Sequence, residues 1–100
     1  MIHSQLDKEQ LAHQIAHWGQ ELLRERQVYS RLLRLLPSRF DEVVKRIRLT
    51  EDAGKARRLA LMDATYLAYV DELNELGNKV LKVKVQWDTH RLLYRCKKLS

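Results

Sequence analysis

Hydrophobic residues recur along this chain at alternating intervals of three and four. Leu59, Met62, Tyr66, Tyr69, Leu73, Leu76, Val80, Val83, Trp87, His90 and Tyr94 keep that spacing, and all but His90 are apolar or aromatic. The spacing places them on one side of an α-helix, as an a/d seam that expects helical neighbours. An earlier stretch does the same: Leu11, Ile15, Trp18, Leu22, Tyr29, Leu32 and Leu36, with Glu25 as its one polar interruption. Leu23, Val28, Leu33 and Leu35 widen that second stripe. Two long helices with apolar sides predict an all-α, coiled-coil-like antiparallel hairpin.

Local signals set the expected boundaries. Asp7 as N-cap places Gln10 at N3, the geometry of a capping box, with Leu6 and Leu11 at the positions of a hydrophobic staple. Pro37 predicts the end of this helix, because the residue before a proline is pushed out of the α region. Ser38 and Asp41 then open a short elbow helix carrying Phe40, Val43, Val44 and Ile47 on its apolar side. Thr50, followed by Glu51 and Asp52, reads as the cap of the long helix. The prediction is one helical domain over 1–100, with helices at about 7–36, 39–48 and 51–98. Gly19 lies inside the first helix at a cost of about 1 kcal/mol relative to Ala.

Gly77-Asn78 is the weak point of the long helix, since glycine suits a helix C-terminus. The seam keeps its phase across that pair (Leu73, Leu76, Val80, Val83), which favours continuity. The alternative is a break at Gly77 and a three-helix bundle. With the first helix ending at Pro37, Trp18 is expected opposite Val70 and Leu11 opposite Gly77. Val83, Val85, Trp87, Leu92, Leu93 and Tyr94 are then left without an intrachain neighbour. Burying a large apolar side chain is worth about 1.5–3 kcal/mol, so a second chain is expected to cover them. Val83, Trp87, Leu92, Tyr94, Tyr66 and Tyr69 are the expected partner-binding residues, in a homodimer or against another helical protein.

Composition adds a basic balance. Nineteen Lys and Arg against thirteen Asp and Glu give a net charge of +6, unevenly placed. Residues 59–78 hold Asp63, Asp71, Glu72 and Glu75 and no base, whereas 79–100 hold seven bases against Asp88. Such asymmetry points to charged partners or to self-association. Arg24, Arg31, Arg34, Arg46, Arg48, Arg57 and Arg58 are the candidates for nucleic-acid phosphates, to which arginine is well matched. No helix-turn-helix, zinc-finger or aromatic RNA-binding signature accompanies them.

Candidate chemistry is thin. His13 and His17 have the i, i+4 spacing of two metal ligands, yet no third ligand stands at a fixed interval. Cys96 is flanked by Arg95, Lys97 and Lys98 but has no base placed beside it. A lone cysteine, no signal-peptide pattern and no apolar run of roughly twenty residues predict a cytoplasmic protein away from membranes. In length and in its expected helical hairpin the chain resembles the small secreted WXG100 proteins, but Trp18-Gly19 lie adjacent inside a helix instead of forming Trp-x-Gly in a turn. No family is assigned on these residues. The expected function is a non-enzymatic helical interaction or adaptor protein, self-associating through the long helix, with no metal, cofactor or small-molecule substrate. A basic nucleic-acid-binding accessory protein, of phage, plasmid or mobile-element type, is the alternative.

Overall fold

A computed structural model describes the backbone of residues 7–99 and the side chains of 7–97. The fold is all-α and hairpin-like. Two long antiparallel helices, α1 (Lys8–Ile47) and α3 (Ala64–Leu99), are joined by a short helix, α2 (Ala53–Ala60). The predicted capping box opens α1. The Asp7 N–H donates to Gln10 Oε1 at 3.0 Å, and the Gln10 N–H donates to Asp7 Oδ1 at 2.7 Å. Leu6, the other half of the expected staple, lies outside the described residues, while Leu11 is fully buried.

Three boundaries differ from expectation. Pro37 does not end α1, which runs through it. A proline inside a helix costs about 3 kcal/mol, chiefly by freeing the carbonyl four residues back. Here that carbonyl belongs to Leu33, and both Leu33 and Pro37 are exposed, so water can satisfy it. The apolar stripe meanwhile continues into Phe40, Val43, Val44 and Ile47, whose burial offsets the cost. The expected elbow helix at 39–48 is therefore the end of α1. The connecting helix is instead α2, whose N-cap is Asp52 and not Thr50. The Lys55 N–H donates to Asp52 Oδ1 at 2.8 Å, whereas the Thr50 hydroxyl turns back to the Ile47 carbonyl. The expected long helix also breaks at 61–63. The Met62 and Asp63 N–H groups bond three residues back, to Leu59 and Ala60, and Asp63 Oδ1 then accepts the Thr65 N–H to start α3. Leu59 and Met62 sit at that break and are 39% and 78% exposed, so the seam is not buried there.

The described residues divide into two compact units: a central unit, Val28–Gly77, and a terminal unit made of 7–27 with 78–99. In the central unit, Ala56 and Ala60 lie four apart on α2, both fully buried, and let α2 press against Val43 and Val44. Phe40 meets Tyr66 edge-on at 5.1 Å between ring centroids, and Arg39 lies over the Tyr69 ring at 4.1 Å. Gly77 does not break the helix, so the three-helix alternative is not formed.

In the terminal unit, Leu11, Leu22, Glu25, Val83 and His90 are buried. Trp18 stacks on His90 with centroids 6.5 Å apart, and the Trp87 indole lies against Gly19. The expected register, Trp18 opposite Val70, is thus displaced. With α2 a separate helix and α1 running on to Ile47, the first half of α1 meets the last turns of α3.

The two helix glycines make a paired prediction. A Cβ at Gly77 would sit 3.4 Å from Tyr29 Cε2, an ordinary contact. Gly77→Ala should therefore raise stability by about 0.5–1 kcal/mol, the helix penalty of glycine. At Gly19 a Cβ would already lie 3.3 Å from Trp87 Nε1. Gly19→Leu should displace the indole and cost about 1–3 kcal/mol through overpacking. Urea unfolding of both variants checks the pair, and equal effects of the same sign would contradict it.

Candidate interaction surfaces

Once α1 covers the seam of α3, a second row of residues remains on the outward side of the terminal unit. Leu81, Val85 and Leu92, each 60% exposed, lie at i, i+4 and i+11 and so share one face of α3. Leu81 and Val85, with Lys82, Val83, Gln86 and Trp18 of α1, line an open groove of about 430 Å³. The ion pairs nearby are internal. Glu25, buried at a seam position of α1, receives Lys79 Nζ at 3.1 Å. Glu21 pairs with Arg24, and Asp88 receives Lys84 Nζ at 3.2 Å. Arg91 lies over the Trp87 ring at 4.4 Å.

The expected partner-binding residues fall into different settings. Val83 is buried, Trp87 is half-covered by Gly19, and Tyr94 is half-buried. Tyr66 and Tyr69 pack against Phe40 and Arg39. Of the six, Leu92 is the one that is well exposed. The premise that Val83 and Trp87 lack intrachain cover is therefore corrected, because Trp18 and Gly19 of α1 stand beside them. Val85, expected to be orphaned, does remain exposed. Leu81 is absent from the residues expected on sequence grounds. Its signal is its heptad spacing with Val85 and Leu92, masked by Asn78 and Asp88 on the same row.

The second surface lies where α1, α2 and α3 meet. Arg48, Arg57 and Arg58 are exposed, and none of them forms an ion pair among the described residues. Leu49, Leu61 and Met62 stand exposed in the same connection, at 84%, 55% and 78%. Arg46 is engaged, its Nη2 lying 2.6 Å from Asp63 Oδ2. Arg31 and Arg34 are exposed along α1, and Arg24 belongs to the terminal unit, where Glu21 holds it. Arg46, Arg48, Arg57 and Arg58 all belong to the central unit, and Arg24 belongs to the terminal one.

Asp63 carries an electrostatic signature of its position. Desolvation pushes its pKa up, but the Thr65 and Tyr66 N–H groups and the Arg46 guanidinium together hold it below the usual 3.8. A carboxylate depressed on folding contributes stability above its unfolded pKa, and that contribution is lost as pH falls through the lower, folded value. A carboxyl titration by NMR should place Asp63 below 3.8, and Arg46→Gln should raise it. No change with Arg46→Gln would remove the ion pair from the explanation.

His13 and His17 are exposed, and Cys96 is an exposed free thiol. Among the described residues no group of three or more His, Cys, Asp or Glu could hold a metal ion, and no helix is long and apolar enough to cross a membrane. No protein-family model, no curated protein and no solved structure matches the chain.

Proposed function

We propose that this protein is a non-enzymatic helical interaction module, an adaptor that engages a protein partner through the outward side of its terminal unit. The observation that carries the reading is the row Leu81, Val85 and Leu92, left 60% exposed after the hairpin has closed. Single exposed leucines are ordinary, but aligned ones bordering an open apolar groove mark a contact surface. The partner is another helical protein or a second copy of the chain. A photo-cross-linking residue at Leu92, introduced into the protein in its own cells, should give one discrete adduct that Val85→Glu abolishes. An adduct ladder indistinguishable from one obtained at exposed Arg34 would defeat the reading.

A second reading rests on Arg48, Arg57 and Arg58, which are exposed and form no ion pair among the described residues, as a surface for nucleic-acid phosphates. Binding of this kind would weaken steeply with salt. A polarization titration with random DNA and RNA at low salt should show it, and Arg48→Ser/Arg57→Ser/Arg58→Ser should remove it. Those exposed groups contribute little to stability, so unfolding of that variant would make them structural and withdraw the motive for this reading.

A further inference from the structure

We propose that the groove of the terminal unit receives an acidic amphipathic helix from a partner protein. This names the partner class for the interaction module above and rests on that reading. Shape is the first reason. The groove is open along α3, and its lining is Trp18, Leu81, Val83 and Val85 with Lys82 and Gln86. An open apolar trough beside an aligned row of aliphatic residues suits side chains at i, i+3, i+4 and i+7 of a docked helix.

Charge is the second reason, and it decides between occupants. Past the first turn of α1, the acidic residues of the terminal unit are Glu21, Glu25 and Asp88, and each is committed to an internal pair with Arg24, Lys79 or Lys84. Lys82 lines the groove, and Arg95 stands exposed one turn beyond Leu92. The face therefore presents Leu81, Val85 and Leu92, interrupted only by Asp88, whose charge Lys84 pairs, with the exposed cations Lys82 and Arg95 at its rim. A second copy laid on it through the same residues would set like charges against each other, the juxtaposition that suppresses wrong partners. Nucleic acid would satisfy the rim and leave the apolar trough unfilled. A helix with leucines on one side and glutamates beside them satisfies both.

The test uses the full chain and three synthetic helical peptides of about 20 residues. All three carry leucine on one face, and their flanking positions are all Glu, all Gln or all Lys. Calorimetric titration should give micromolar binding for the Glu peptide, about tenfold weaker binding for the Gln peptide, and none for the Lys peptide. Val85→Glu should abolish binding, and Lys82→Glu should reverse the preference. Both positions are exposed, so circular dichroism should show unchanged folding. Equal binding of all three peptides would overturn the acidic assignment. If no peptide binds and the chain forms a dimer that Val85→Glu dissociates, the acidic-helix inference fails and the interaction-module reading survives. If no peptide binds and the chain is monomeric, with no Leu92 adduct in cells, both fail.

Discussion

Leu22→Ala should lower stability by about 2–5 kcal/mol, the range for deleting a buried leucine where the surroundings relax only partly. Leu22 is 3% exposed, on the side of α1 that turns Gly19 toward Trp87 and Glu25 toward Lys79. In a chain of this size each kcal/mol moves the thermal midpoint by roughly 4–8 °C, so the loss should be visible in any melting curve. The adjacent Leu23 is 61% exposed, and Leu23→Ala should change stability by no more than about 0.5 kcal/mol. The contrast between neighbours isolates burial from helix propensity, because both substitutions exchange the same two residue types in one helix. Similar losses at both positions would mean that Leu23 is covered in solution, for instance by an associated chain.

Lys79→Ala should cost about 1–3 kcal/mol, because it leaves the Glu25 carboxylate buried without its cation. Glu25 is 6% exposed, while the Lys79 side chain is 60% exposed and reaches inward to it. The cost therefore comes from the stranded carboxylate more than from any property of the lysine. Glu25→Leu should be neutral or stabilising, by up to about 4 kcal/mol, since an apolar residue of similar size needs no partner. Combined with Glu25→Leu, Lys79→Ala should lose most of its effect. A double variant as damaged as the single Lys79→Ala would show that the lysine acts through something other than Glu25. Retention of an ion pair in a seam position fits a role in fixing register, since sliding α3 along α1 would leave both charges unpaired.

Much of this fold is legible in the spacing of apolar residues. The three-four interval from Leu11 to Leu36, and again from Tyr66 to Tyr94, picks out the sides of α1 and α3 that face each other. The capping box at Asp7 and Gln10 is found at its expected atoms. Continuity through Gly77 follows from the unbroken phase of Leu73, Leu76, Val80 and Val83. Pro37 misleads because its local rule competes with an apolar stripe that continues past it, and the stripe wins. The break at 61–63 is hidden for the opposite reason. Leu59, near the end of α2, and Met62, in the turn after it, keep the seam's phase, and Asp63 caps α3 with no Glu or Gln three residues on to mark it. Together these two features displace the register and make Trp87 look unpartnered from sequence, although a glycine beside Trp18 already hints at a close approach there. The outward row is harder to see, since Asp88 interrupts it and its meaning depends on which side of α3 is already covered.

Backbone amide shifts, followed by NMR as the Leu/Glu peptide is added to the intact chain, locate the binding surface directly. The amides of Leu81, Lys82, Val85, Gln86 and Leu92 and the Trp18 indole should move, while those of Leu49, Arg57 and Arg58 stay in place. Shifts concentrated at residues 48–62, or no shifts at peptide concentrations well above micromolar, would contradict an acidic-helix site on the terminal unit.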